Sequence, residues 1–300
     1  MTDFISIADI DRSAMHRLFE LAAELKRDRR QRNDLAGKTV ALIFHKPSLR
    51  TRVSFEVGVS ELGGHPMYVT DVEIKMGQRE STYDIGKVLS RYVHGIMIRT
   101  FAHSNCTELA DAADVPVING LTDFNHPCQV MGDIMTCRER GKDIDSMVVA
   151  FVGDGNNVAN SWINAAGVLN FEFRIAGPSG YEPAKDLLEE ARGKGATVSV
   201  LRDPAEAVAG ADVIYADVWT SMGQEAEKAE REKQFRPYQV NNDLLAGAAP
   251  DAIVLHCLPA HRGEEITDEV MDGPQSAVFD EAENRLHAQK AIMVDLMGKR

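Results

Sequence analysis

The chain has 300 residues, 44% of them hydrophobic and 26% charged, with a formal net charge of -13. That balance suits packed globular domains and disfavours disordered or fibrous classes, and the excess of acid argues against a broad nucleic-acid surface, where clustered Lys and Arg would have to dominate. There is no uncharged apolar run of the roughly eighteen residues that a membrane span needs, and the start MTDFISIADIDRS has neither a basic opening nor a continuous apolar stretch, so a cytoplasmic chain without membrane contact is expected.

Short apolar runs alternate with helix-like segments along the chain. The first series of strand candidates covers 39–44, 95–100 and 116–119, and the second covers 147–153, 171–177, 197–201, 212–218 and 252–257. Apolar runs separated by helical stretches predict an α/β fold of two domains, each a mainly parallel sheet flanked by helices. The polar stretch RERGKDIDS, 138–146, separates the two series. At the end, Leu286, Ala288, Ala291, Ile292, Val294 and Leu296 recur as on an amphipathic helix, which is expected to cross back to the first domain. The expected limits are 1–141 with 282–300, and 142–281. Cys106, Cys128, Cys137 and Cys257 show no C-x-x-C spacing and read as reduced thiols. The pair His126 and Cys128 has no second ligand pair at metal spacing, so neither metal nor cofactor is expected.

TVALIFHKPSLRTRVSFEVGVSELGG, 39–64, reads as strand, tight turn and helix, with Ser48 as N-cap and Gly63-Gly64 closing the helix. Lys46, Arg50 and Arg52 therefore crowd a helix N-terminus inside an acidic chain. Unpaired N–H groups and the positive dipole end favour an anion there, Ser48 and Thr51 offer hydroxyls, and Arg50 can clasp two oxygens. An ordinary capped helix with solvated arginines is the competing reading. Arg99 closes the strand candidate GIMIRT, where open α/β sheets bind ligands. In NHPCQ, His126 precedes Pro127 and Gln129 falls in a first helical turn, so an imidazole and an amide can face a small carbonyl and amino group.

In the second series, FVGDGNNVANS lacks the third glycine of a dinucleotide signature, because Val158 stands there, and no acidic residue follows to hold a ribose. The loop offers Asn156 and Asn157 to a polar ligand instead. Asp217 ends a strand candidate before Ser221 and Gly223, and Cys257 ends another before Pro259. Asp217 suits an ammonium and Ser221 with loop amides a carboxylate, which together fit an amino acid. Cys257 also reads as a small buried hydrophobe.

Taken in order, KPSLRTR, MIRT, HPCQ, GDGNN, DVWTSMG, HCLP and ENR resemble the aspartate/ornithine carbamoyltransferase family, on its ornithine-using side, along nearly the whole chain. The resemblance implies that Ser48, Leu49, Arg50, Thr51 and Arg99 hold the phosphate of carbamoyl phosphate. His126 and Gln129 would hold its carbamoyl group, Cys257 and Leu258 would lie near the reacting δ-amine, and Arg285 near the carbamoyl oxygen. Asn157, Asp217, Ser221 and Met222 would bind the α-groups of ornithine. Leu49 departs from the family's usual threonine, so a hydroxyl contact is absent there, while a backbone N–H could still serve. Lys75, in KMGQRES, stands where many members have glutamine, on a loop that in the family completes a neighbouring subunit's carbamoyl phosphate site. A homotrimer or a multiple of trimers is implied.

The implied reaction, in arginine metabolism, is attack by the neutral δ-amine of L-ornithine on the carbonyl carbon of carbamoyl phosphate, giving L-citrulline and phosphate. Arg50, Arg99, His126 and Arg285 would stabilise developing charge. Either Asp217 with Cys257 or the departing phosphate takes the amine proton. Rival acceptors are aspartate, putrescine and N-acetylornithine. HCLP in place of HPLP disfavours aspartate, and SMG supplies groups for an α-carboxylate that putrescine lacks. A regulatory protein that only binds phosphorylated metabolites would need the Ser48–Thr51 cradle but not His126, Gln129 and Cys257.

Overall fold

The computed structural model describes residues 2–29, 32–77, 79–221 and 223–298, apart from the side chains of Glu73 and Glu225. The chain divides into two compact units, Met1–Gly132 with Asn284–Arg300, and Asp133–Glu283. Both crossings fall inside helices, Pro127–Glu139 and Val278–Met297. The polar stretch 138–146 runs from the end of the first of these helices to the second unit's first strand.

The first unit holds β1 (Thr39–Phe44), β2 (His65–Thr70), β3 (Gly95–Arg99) and β4 (Val117–Leu121) in the order β2-β1-β3-β4, every pair parallel. β1 and β3 are buried almost throughout, as strands covered on both faces must be. Ala41, Ile43, Ile96 and Ile98 pack with Ile85, Cys106 and Leu109 on one side. β2 was not expected from the sequence. Its HPMYVT carries a proline and only partial burial, both of which an edge strand tolerates because one side of its ladder goes unused.

The second unit holds β5 (Val148–Val152), β6 (Glu172–Ala176), β7 (Thr197–Leu201), β8 (Val213–Ala216) and β9 (Ile253–His256) in the order β7-β6-β5-β8-β9, again all parallel. One hydrophobic cluster gathers Ala150, Val152, Ile214, Ala216 and Val254 with Val208 and Val270. An aromatic group forms a second, with Phe151 stacked on Tyr215 at 5.2 Å between centroids and Trp162 stacked on Phe173 at 6.4 Å. Rings of this size bury large apolar areas and fix their neighbours' rotamers.

The helices that matter for the site are α1 (Leu49–Glu61), α2 (Pro127–Glu139), α3 (Asn157–Leu169), α4 (Lys228–Phe235) and α5 (Val278–Met297). Among the described residues no helix is long and apolar enough to cross a membrane. In each sheet the strand order reverses once, between β1 and β3 and between β5 and β8. Open parallel sheets bind ligands beyond the carboxyl ends of the strands at such a reversal. The segments that leave those four strands are HKPSLRTR, Thr100-Phe101, GDGNN and DVWTS.

Candidate active site

In the first unit, Ser48 caps α1 with its hydroxyl accepting from Thr51 N at 3.3 Å, and its backbone is extended. That cap aims the first turn of α1 at the end of β3. Thr51 is fully buried, and its Oγ1 accepts from Arg99 Nη1 at 3.4 Å and from Arg285 Nη2 at 2.9 Å. Both lone pairs of the hydroxyl are thereby used, so its proton is left to donate to something else. Arg99 comes from the end of β3 and Arg285 from α5, 234 residues beyond Thr51 in the chain. Arg285 Nε is buried and has no hydrogen-bond partner among the described residues. Two guanidinium groups on one hydroxyl at a helix N-terminus could hold a multiply charged anion. Arg50 is half-buried on the same turn, whereas Arg52 turns away to Glu56 and lies over the Tyr68 ring.

His126 precedes α2, whose first turn bonds back to its carbonyl through Gln129 N at 3.1 Å, and both side chains are buried. Burial holds the His126 imidazole well below its usual titration range, and nearby Arg285, Arg99 and Lys46 push it further in the same direction. His126 is therefore a neutral hydrogen-bonding group among cations. Lys46 precedes α1 in the basic cluster, and neither the pattern nor the resemblance gives it a role of its own. It is buried, pairs with Asp123 and lies 4.2 Å from the Phe101 ring centroid.

In the second unit, the GDGNN turn ends in Asn156, which caps α3 by accepting from Val158 N at 2.9 Å and Ala159 N at 3.2 Å. The other end of that amide donates to Asp217 Oδ2 at 2.6 Å. Asp217 Oδ1 accepts from Val218 N at 2.8 Å and from Cys257 Sγ at 3.0 Å. Burial, and then Asp217, raise the Cys257 thiol well above its usual value, so it stays protonated and donates. Cys257 is thus a half-buried hydrogen-bond donor at the end of β9 and not simply a core side chain. Asn157 opens α3 and is half-buried, as is Ser221, whose N–H donates to Gln224 Oε1 at 3.0 Å. Leu258 follows Cys257 in a left-handed conformation, φ 58°.

One further residue organises these loops. Arg231 of α4 is buried, donates from Nε to the Trp219 carbonyl and pairs with Asp154, while the Tyr181 and Phe235 rings flank it at 4.7 and 5.4 Å. It ties GDGNN to the loop carrying Ser221. A charge in the Lys- and Glu-rich KAEREKQF reads as solvated, so nothing in the sequence pattern singles it out. Burial lifts the Asp154 carboxyl to about 6 against the opposing pull of Arg231. Arg231→Met is expected to destabilise the chain by about 3 kcal/mol at neutral pH by stranding Asp154. Stranded, Asp154 would titrate higher still, so the native state would bind its proton more readily than the unfolded chain and the loss should grow as pH rises from 5 to 8. Urea denaturation across that range measures it, and a pH-independent loss would contradict the pairing.

Three expected residues stand apart. Leu49 is 76% exposed on α1, and Lys75 is an exposed residue at φ 45° in a tight turn, with no contact to the Thr51 cluster among the described residues. Met222 lies outside the described residues. Ligand atoms of Asp217, His256 and Cys257 lie within 4.8 Å of one another. They are already engaged, the thiol with Asp217 and both His256 nitrogens with Leu258 N and Glu265.

Residues 2–139 match the family described as "Aspartate/ornithine carbamoyltransferase, carbamoyl-P binding domain", and residues 145–296 its "Asp/Orn binding domain". The chain is 53% identical to the ornithine carbamoyltransferase of Chlorobaculum tepidum over 99% of its length and 90% of that protein's. It is 50% identical to that of Archaeoglobus fulgidus over 100% of its own length and 98% of the other's. The structure resembles the ornithine carbamoyltransferase of Pyrococcus furiosus with a TM-score of 0.94 at 47% identity, covering 98% of this chain and 96% of that one.

Proposed function

The chain belongs to the aspartate/ornithine carbamoyltransferase family, and from that premise we propose that it transfers the carbamoyl group of carbamoyl phosphate to the δ-amine of L-ornithine, forming L-citrulline and phosphate. The observation that carries this reading is the Thr51 hydroxyl gathering Arg99 and Arg285 beside a neutral His126. The phosphate lies on the first turn of α1, against the N–H groups after Ser48, the Thr51 hydroxyl proton, Arg50 and Arg99. His126 and Gln129 take the carbamoyl carbonyl and amide, with Arg285 on the carbonyl oxygen. On the second unit, Asn157, Asp217, Ser221 and Met222 take the α-amino and α-carboxylate groups of ornithine, and Cys257 and Leu258 border the δ-amine.

The amine nitrogen attacks the carbonyl carbon, negative charge gathers on the carbonyl oxygen, and the intermediate collapses as the C–O bond to phosphate breaks. The amine proton leaves to Asp217 or to the departing phosphate. His126 and Arg285 stabilise the oxyanion as fixed donors that need no rearrangement at the moment of reaction. The same reading includes a trimer in which Lys75 reaches a neighbouring subunit's carbamoyl phosphate site, and a cytoplasmic location in keeping with four free thiols.

Citrulline formation assayed with ornithine, N-acetylornithine, putrescine and aspartate tests the assignment, and ornithine should exceed the others by at least about a hundredfold, because buried polar groups left unpaired reject analogues that lack their partner. With ornithine the rate should rise with pH, since only the neutral amine attacks and an alkyl amine of this kind ionises near about 10. His126, already neutral, imposes no opposing limb above its usual value. A flat profile from mildly acidic to alkaline pH would count against amine attack.

A further inference from the structure

The loop after β9 is held by groups that the proposed chemistry leaves unused. His256 is 1% exposed and Glu265 fully buried. Leu258 N donates to His256 Nδ1 at 2.9 Å, so that nitrogen carries no proton, and Nε2 must donate to Glu265 Oε1 at 3.1 Å. The tautomer is therefore fixed by geometry. Glu265 Oε1 also accepts from His261 N, and His256 N donates to Glu281 Oε2 at 2.7 Å, a carboxyl that takes the Tyr215 hydroxyl on its other oxygen at 3.3 Å. Between these ties sits Cys257, with Leu258 beyond it in the left-handed region at φ 58°. A bulky L-residue avoids that region unless something local holds it there.

We infer that His256 and Glu265 are a positioning pair for the reaction: the Nδ1 lone pair holds Leu258 in its left-handed turn, which keeps the Cys257 thiol on Asp217, and Glu265 keeps that lone pair pointed at the Leu258 N–H. Glu265 locks the tautomer by accepting the hydrogen bond from Nε2–H, as a buried carboxylate does for a working histidine elsewhere. Neither residue touches the reacting atoms. The inference rests on the proposed function, since it assigns a role in the same transfer.

Two isosteres separate the two nitrogens. In His256→Asn the amide oxygen falls where Nδ1 stood and still accepts from Leu258 N, but the link to Glu265 is lost. In His256→Gln the amide reaches Glu265, but no acceptor remains for Leu258. Steady-state citrulline formation at saturating substrates should show kcat reduced at least about tenfold in His256→Gln, the effect of losing one partly buried hydrogen bond that sets geometry, with most of that loss recovered in His256→Asn. Thermal melting should rank the variants the other way, because His256→Asn strands the Glu265 carboxylate. Alkylation by iodoacetamide, mapped by mass spectrometry, should be faster at Cys257 in His256→Gln than in His256→Asn, with the buried Cys106, Cys128 and Cys137 protected in both. Equal kcat in the two variants, or activity that follows melting temperature, overturns the inference. If modification of the buried cysteines shows that His256→Gln is unfolded, a fall of more than about tenfold in a folded His256→Asn overturns it as well, since one hydrogen-bond acceptor is retained there. An unmutated chain that forms no citrulline sinks the function itself, a result distinct from either.

Discussion

Replacing Arg285 with alanine is expected to lower kcat for citrulline formation about a thousandfold, while the chain stays folded. Arg285 supplies Nη2 to Thr51 and a buried Nε that no described residue satisfies. Two charge-assisted hydrogen bonds to a substrate anion, at about 1.5–3 kcal/mol each, sum to about 4 kcal/mol, or three orders of magnitude in rate. The first unit keeps Arg99, Thr51 and Gln129, so carbamoyl phosphate should still bind, and kcat should fall further than KM rises. Among the described residues no acidic partner of Arg285 is stranded by the change. Arg285→Lys restores the charge but not the planar fork, and is expected to recover at most part of the loss. Steady-state kinetics with melting curves on both variants decide it, and an Arg285→Ala chain within about tenfold of the starting kcat would remove Arg285 from the chemistry.

Arg285 also shows where sequence reading works and where it stops. The cradle at Ser48–Thr51 is legible because capping, dipole and hydroxyl chemistry lie within four consecutive residues. The partnership of Thr51 with Arg285 is not, because it spans 234 residues and depends on α5 returning to the first unit. Resemblance to a family implies Arg285 near the carbamoyl oxygen but not its bond to Thr51. β2 escaped notice because Pro66 argues against a strand unless the strand is known to be an edge. Arg231 was hidden among exposed charges, since a lone Arg beside two aromatic rings and an aspartate is visible only in three dimensions. Lys46 stands in the basic cluster before α1, yet its burial against Phe101 and its effect on His126 follow from tertiary packing. The reversal points of the two sheets fall where the legible motifs stand, because those motifs leave β1, β3, β5 and β8.

Asp217→Asn is expected to cut kcat/KM for ornithine about a thousandfold while carbamoyl phosphate binding persists. The carboxylate faces three donors: Asn156 Nδ2 on Oδ2, and Val218 N with Cys257 Sγ on Oδ1. An amide must place its NH₂ against one set or the other. If it replaces Oδ2 it meets the Asn156 NH₂, and Asn156 cannot turn its oxygen round without uncapping α3, where that oxygen already accepts from Val158 N and Ala159 N. If it replaces Oδ1 it opposes both Val218 N–H and the thiol. Either way a half-buried donor goes unpaired, at a cost of about 1–3 kcal/mol, and the negative charge that would receive ornithine's amino group is gone, removing about 1.5–3 kcal/mol more. Together these amount to about 4 kcal/mol, or three decades. Because Asp217 belongs to the second unit and the Thr51 cluster to the first, calorimetry with carbamoyl phosphate alone should give an affinity within about threefold of the unmutated chain, the change expected where no contact is lost. A variant that kept ornithine turnover within about tenfold, or lost carbamoyl phosphate binding instead, would place Asp217 outside the role proposed for it.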